Sequence, residues 1–515
     1  MTLPTQKTSY VTTSIPYVNA DPHLGFALEL CVADAFARHR RTRGRRVHFV
    51  TGTDDHSLKN VIAAGRAGVP TAQWVAEHAA AFEALNAALG ISADAFQRTS
   101  VNPAHAPAVR ALWEGCASRG DLYQKAYRGL YCVGCERFYE PEELHEGRCP
   151  EHDAPLETVE ETNWFFRLSR YAGVVREAIE NGRLRIVHDG AREETLAFLR
   201  GPVRDISVSR SAARARGWGL EVPGDPSQVI WVWFDALCGY IAALGYGGGD
   251  HSRLDTFWCG DGERVHVVGK GIVRFHAVYW PAFLQAAGVP WPTDLLVHGY
   301  VTVEGQKISK SGRTIDPIPL IAQHGADAVR YFLLRHIRTA RDGDFSITRF
   351  CQAHDAELAN GLGNLASRVL TLVEKGAKGR IPAPGVALAD DQELRELSLA
   401  LHSEVDVAVA RLSLDEALCA IFQVVDAANR YVTRAAPWQH AREGRADRAA
   451  TTVRTALEAL HVVARELEPF LPRTSERLLA LLCAPTHAPC GDWNVLLTGL
   501  PISNTAPLFR RIGHG

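Results

Sequence analysis

YVTTSIPYVNADPHLGFALELCVADAFARHRRTR, residues 10–43, is the stretch from which the rest of the chain takes its place. Val11, Thr12, Thr13 and Ile15 form a β-branched run that reads as a buried strand; Pro16 stops it, and Asn19, Asp21 and Pro22 make a turn. Beyond the turn, Leu24, Leu28, Val32, Ala35 and Phe36 recur at three- and four-residue spacing and share one helix face. A strand that feeds a helix through a tight turn ending in Gly25 aims free N–H groups and the positive helix terminus at one spot. That spot suits phosphate, and His23 adds a donor to it. Any doubly wound sheet has several such turns without a ligand, so the turn alone leaves both readings open.

The 515 residues are too many for one ordinary core and predict two or three domains. Hydrophobic residues at 46% and charged residues at 22% are globular values, and a net charge of −2 argues against bulk attraction to nucleic acid or membrane. Any nucleic-acid site must then be a local patch. No apolar run reaches membrane-spanning length and residues 1–8 carry no signal-peptide core, so a cytoplasmic protein without membrane contact is expected. Eight of the eleven cysteines are scattered singly among apolar neighbours, as reduced core cysteines are.

A second strand, Val47 to Thr51, ends in GTDDHS, where polar side chains past the carboxyl end of a parallel strand stand in the usual ligand position. Asp54 suits an ammonium group and His56 lies beside it; the plainer reading is a helix N-cap from Asp54, Asp55 or Ser57. Thr71 opens a helix to about Leu89. Residues 163–169 read as an amphipathic start, 204–210 as an alternating strand, and 229–237 as a strand entering a turn, with Tyr240 one helical turn on. Residues 265–270 form another strand, followed by a helix on which Ile272, His276 and Trp280 share a face. Aromatic rings from these elements either wall an apolar pocket or are plain core. Residues 297–311 read as a hairpin turning at Gly305, followed by a loop with Lys307, Ser309, Lys310 and Ser311, which holds a polyphosphate or is simply exposed.

Within 131–152, Cys132 and Cys135 are separated by thirteen residues from the pair Cys149 and His152. Three thiolates and one imidazole fill a tetrahedral zinc shell with no open position, so a structural Zn2+ is expected, iron being a minor alternative.

Together these motifs resemble the methionyl-tRNA synthetases, class I aminoacyl-tRNA synthetases, in their compact bacterial form with one zinc knuckle. The resemblance covers nearly the whole chain. His23-Leu24-Gly25-Phe26 is similar to the first nucleotide signature of that class, and Lys307-Ile308-Ser309-Lys310-Ser311 to the second. The resemblance implies ATP binding, with Mg2+, by His23, Gly25, Gly269, Lys307, Ser309, Lys310 and Ser311, with His23, Lys307 and Lys310 catalytic. It implies methionine binding through Asp54 with Arg210 nearby, and through Ile15, Tyr17, Trp233, Ala236, Leu237, Tyr240, Ile272, His276 and Trp280. A thioether gains from aromatic edges around its sulfur.

The implied architecture is a Rossmann-like α/β catalytic domain, 1–117 and 226–296, split by an insertion at 118–225 that carries the zinc knuckle. A signature-loop and stem-contact region, 297–350, and an all-α anticodon-binding bundle, 351–515, would follow. The insertion is too small for the editing domain that related synthetases need where one methylene supplies only about 1–3 kcal/mol of discrimination. Asn364, Arg368 and Trp438 match the family's anticodon readers, an indole face and two hydrogen-bonding groups being what an unstacked base requires. The implied reaction joins L-methionine to tRNA(Met) through methionyl adenylate. No further domain follows the bundle, so a monomer is expected. The chain departs from the family at Phe26, where a second histidine is usual, and at Gly271, where an acidic residue is usual. These departures point to two alternatives, a paralogue for specialised activation or resistance, and a catalytically silent tRNA-binding protein.

Overall fold

The computed structural model describes residues 6–132, 134, 137–139, 141–150, 154–304, 306–307, 315–485, 492–502 and 507–513, with backbone alone at 137, 306 and 307. It divides into two compact units, the first comprising residues 1–23, 44–87 and 91–298 and the second 24–43, 88–90 and 299–515.

Unit 1 is built on a six-stranded sheet. Its strands are β1 (Thr8–Thr13), β2 (Arg46–Thr53), β3 (Ala95–Arg98), β4 (Arg185–Val187), β5 (Glu263–Gly269) and β6 (Asp294–His298). The order is β3-β2-β1-β5-β6-β4 and every pairing is parallel. Val11, Val50, Val265, Val267 and Leu295 are buried, as central strands covered on both faces require. Strand order reverses between β1 and β5, and the carboxyl ends flanking that point are where open sheets bind ligands. The edge strand β4 comes from residues 185–187, inside the stretch read as an insertion.

The rest of the insertion makes two small antiparallel sheets. Residues 163–169 do not begin a helix there; Glu157–Phe166 is a strand paired along Leu122–Cys132, and only Leu168–Arg170 turns helically. The alternating run at 204–210 is divided: Ile206–Ser207 pairs with Phe166 and Phe165, whereas Ser209–Ser211 pairs with Gln228–Ile230. The expected strand at 229–237 stops at Ile230, and Val232–Ala242 is a helix. Its apolar residues satisfy either periodicity, and burial of Phe234, Leu237, Cys238 and Ile241 in one core decides for helix.

Unit 2 contains helix α1 (Leu24–Thr42), and Val301–Val303 pairs antiparallel with Gln306–Lys307. Its bundle is formed by long helices, including α3 (Asn364–Gly376), α4 (Ala389–Ala410), α5 (Leu414–Ala435) and α6 (Ala446–Leu467); helix Val232–Ala242 of unit 1 is α2. The expected helices at 391–412 and 447–468 are α4 and α6. Inside unit 2, Arg330 reaches Asp34 of α1 at 2.7 Å and the carbonyls of Phe470 and Pro469 at 2.8 and 3.1 Å, all out of water. No helix among the described residues is long and apolar enough to cross a membrane.

Candidate active site

β2 ends at Thr53, and the Asp54 N–H donates to the Pro16 carbonyl at 2.9 Å, joining the loops that follow β1 and β2. The His56 N–H donates to Asp54 Oδ1 at 2.9 Å, and the Asn60 amide holds the carbonyls of Asp54 and Asp55 at 3.1 and 3.0 Å. Of the three candidate caps, Ser57 serves helix Leu58–Ala67, accepting from the Lys59 N–H at 3.1 Å. Asp55 is occupied by Arg98 at 2.9 Å and by Ser100 and Thr53 at 2.5 and 3.0 Å. Asp54 is therefore the carboxylate that neither caps a helix nor pairs with an arginine in this loop.

The aromatic residues form one connected set. The Trp233 ring stacks on Phe275, with centroids 3.6 Å apart, and meets the edges of Tyr17 at 6.2 Å and His276 at 6.3 Å. His276 Nδ1 lies 3.0 Å from the Ile272 carbonyl, which can only accept, so Nδ1 carries the proton and Nε2 accepts from the Tyr240 hydroxyl at 2.9 Å. Behind it, Trp280 donates to His266 Nε2 at 3.2 Å, leaving His266 Nδ1 to donate to Thr12 at 2.7 Å. Burial, then the neighbouring His276, holds the His266 pKa well below the usual histidine range, so the ring is neutral. Ile15 stands over Gly239, where its Cδ1 would lie 3.4 Å from an added Cβ, and Ala236 and Leu237 are buried on α2. Pro281 and the wide turn Phe275–Tyr279 set the helix that carries His276 and Trp280.

Arg210 is 7% exposed; its guanidinium donates to Ser207 Oγ and the Ser209 carbonyl at 2.9 and 2.6 Å and lies over Tyr131, Phe138 and Trp231. Arg210 and His56 line one recess with Leu58, Tyr131, Trp218 and Trp231. Sequence reasoning missed two buried groups here. Asp235 on α2 accepts from His56 Nδ1 at 2.7 Å and from His105 Nε2 at 2.5 Å. Asp235 lay within a quoted motif without a role, and nothing local to His105 marks it.

Of the nucleotide residues, His23 follows the turn after β1, Gly25 and Phe26 lie in the first turn of α1, and Phe26 is 7% exposed. Gly269 closes β5 opposite His298. Lys307 lies on the hairpin strand Gln306–Lys307; Ser309, Lys310 and Ser311 lie outside the described residues, as do the expected metal ligands Cys135 and His152. Cys132 and Cys149 are each 1% exposed and share one small cluster with Tyr139, Leu144 and Leu156. Two thiols so far apart in sequence, brought together in a pocket sealed from water, fit a metal-thiolate centre.

In unit 2, the Asn364 amide donates to Asn429 Oδ1 at 3.2 Å, and Arg368 reaches the Asn429 carbonyl and Thr433 Oγ1 at 3.3 and 2.9 Å. These residues line an open groove with Asn360 and Asp426. Trp438 is 38% exposed, so it is not core packing. Asn429, the link between the two expected readers, was also not legible in the sequence.

A Rossmann-like sheet with an amino-acid pocket at its switch point and a helical bundle after it defines a class I aminoacyl-tRNA synthetase. Residues 9–158 and 139–370 match the family "tRNA synthetases class I (M)", and residues 381–513 match "Anticodon binding domain of methionyl tRNA ligase". The chain is 37% identical to the methionine–tRNA ligase of Thermotoga maritima over 98% of its own length and 80% of that protein's. It is 37% identical to that of Thermosynechococcus vestitus, over 98% and 97%. The Mycobacterium tuberculosis methionyl-tRNA synthetase in complex with methionyl-adenylate superposes with a TM-score of 0.93 at 35% identity, covering 98% of this chain and 100% of that one. The chain belongs to the methionyl-tRNA synthetase family. Its activity is that of an ATP-dependent aminoacyl-tRNA ligase for methionine, and the comparisons support this rather than the paralogue or the silent binder.

Proposed function

We propose that methionine is held with its ammonium group on Asp54, with Arg210 nearby, and its thioether among Ile15, Tyr17, Trp233, Ala236, Leu237, Tyr240, Ile272, His276 and Trp280. The observation that carries this reading is the Ile272–His276–Tyr240 chain, which fixes a neutral imidazole in an otherwise aromatic wall. Such a wall suits a polarizable sulfur and offers no charge to a polar side chain. The methionine carboxylate attacks the α-phosphorus of ATP, the bond to the bridging oxygen breaks, and pyrophosphate leaves. The terminal ribose hydroxyl of tRNA(Met) then takes the acyl group from the adenylate.

ATP is bound by His23, Gly25, Gly269, Lys307, Ser309, Lys310 and Ser311. His23 stabilises the transferring phosphate, Lys310 the leaving pyrophosphate, and Lys307 supports the loop, so catalysis is positioning and charge stabilisation. Mg2+ accompanies the nucleotide and supplies charge neutralisation. Zn2+ is structural, held by Cys132, Cys135, Cys149 and His152. Asn364, Arg368 and Trp438 read the anticodon, within the bundle at 351–515; the catalytic domain is 1–117 with 226–296, the insertion 118–225, and the signature region 297–350. The enzyme is a cytoplasmic monomer.

The test is methionine-dependent exchange of pyrophosphate into ATP, beside a Phe26→His variant. Because Phe26 is buried in α1, the natural protein is expected to exchange with methionine alone among the amino acids, and the variant to gain nothing. A silent natural protein rescued by histidine would overturn the assignment.

A further inference from the structure

The Asp235 carboxylate has no part in the scheme above, yet it is 1% exposed and spends both oxygens on imidazoles from two other segments. A buried carboxylate with two N–H donors is an expensive arrangement to leave in a core by chance, since either partner's loss leaves a charge unpaired. His56 belongs to the loop after β2, and its own backbone N–H donates to Asp54 Oδ1 at 2.9 Å. His105 opens helix His105–Ser118, fully buried, and its Nδ1 is out of water with no hydrogen-bond partner. Asp235 stands in the first turn of α2, the helix that carries Trp233, Ala236, Leu237 and Tyr240.

One carboxylate thus ties the loop bearing Asp54 to the helix bearing the side-chain wall. Of the two, the helix needs the tie less. Phe234, Leu237 and Ile241 bury completely or nearly so and anchor α2 by packing. The orientation of His56, and through its N–H that of the Asp54 carboxylate, depends on the grip of Asp235 on the imidazole.

We propose that Asp235, backed by His105, is a positioning residue for the amino acid: through His56 it fixes the Asp54 carboxylate at the distance from the aromatic wall that one methionine spans between ammonium and sulfur. The inference rests on the assignment of the ammonium group to Asp54. The charges agree with it. Burial alone would lower the His56 pKa, but Asp235, with Asp54 and Asp55 adding, pushes it up to about 9, so the ring that Asp235 grips is an imidazolium at neutral pH. The bond between them is charge-assisted and correspondingly directional.

The experiment compares two ligands, methionine and 4-(methylthio)butanoic acid, which lacks the amine, by calorimetry on the full chain. Three variants are used: Asp54→Asn, Asp235→Asn and His105→Asn. Asp235→Asn is expected to weaken methionine about tenfold and the amine-free analogue less than about threefold, because only the ammonium side is displaced. The ATP KM should stay at the natural value, and the Asp54→Asn, Asp235→Asn double variant should lose no more methionine affinity than Asp54→Asn alone. His105→Asn should show a smaller loss with the same preference for methionine. Should Asp235→Asn give no cooperative melt, His56→Gln breaks the same bond from the other side and carries the identical comparison. Equal weakening of both ligands, or natural affinity in Asp235→Asn, would overturn the inference. If Asp54→Asn itself fails to discriminate the two ligands, the ammonium assignment falls instead, and that result is distinct from either.

Discussion

At Tyr240 the hydroxyl donates to His276 Nε2 while the backbone carbonyl accepts from the Tyr10 hydroxyl at 2.6 Å, so one residue joins the pocket wall to β1. Removing only the hydroxyl, in Tyr240→Phe, leaves a buried imidazole nitrogen without its donor. Such a loss costs about 1–3 kcal/mol. The variant is therefore expected to unfold in urea with about 1 kcal/mol less stability. Its methionine KM in pyrophosphate exchange should rise about tenfold, since an unanchored ring no longer presents one fixed face. Unchanged stability and KM together would show that the hydrogen bond is incidental. The residue scale also separates what the sequence discloses. Asp54 was legible because it follows a strand directly, and Trp233 and His276 because their spacing is helical. Asp235 and His105 were not, because what gives them meaning is a hydrogen bond between residues 130 apart in the chain.

Among the elements, α6 carries a group with a pH consequence. His461 is 1% exposed with both ring nitrogens buried and without hydrogen-bond partners, and burial, followed by the nearby Arg465, lowers its pKa to about 4. The unfolded chain titrates near 6.5. Because the folded value is the lower one, the stability this group permits is complete above about pH 6.5 and is lost as the pH falls toward about 4. Between about pH 7 and pH 5 the loss comes to about 2 kcal/mol. His461→Leu is expected to remove that part of the acid sensitivity, so urea titrations at the two pH values should differ by about 2 kcal/mol less than in the natural protein. An undiminished difference would place the sensitivity elsewhere. Element boundaries were most legible where one period ran long, as in α1, α4 and α6. They failed at 163–169 and 229–237, where short apolar runs satisfy strand and helix alike and only pairing with Leu122–Cys132 or burial of Phe234 and Ile241 separates them.

On the scale of the whole molecule, the order β3-β2-β1-β5-β6-β4 could not be read in advance, since a three-residue strand from the insertion supplies its edge. That insertion links the proposed metal to the proposed substrate. Cys132 ends the strand Leu122–Cys132 directly after Tyr131, and Cys149 Sγ lies 3.6 Å from the hydroxyl of Tyr139, the neighbour of Phe138. Tyr131 and Phe138 are the rings beneath the Arg210 guanidinium, 5.1 and 4.9 Å from it. A metal that fixes the two cysteines therefore fixes the shelf on which Arg210 rests, and binding energy at such a site is local folding energy. Metal analysis should find one zinc per chain, and dialysis against a chelator should remove it. The stripped protein is expected to keep its far-ultraviolet helix signal, because the helical bundle takes no part in the knuckle. Its methionine KM should rise about fivefold or more, as for any effector coupled to a second site, and return when zinc is restored. Affinity for an anticodon stem-loop, which would be read from Asn364, Arg368 and Trp438, should not change. A stripped protein with natural methionine kinetics would mean that the shelf stands without the metal.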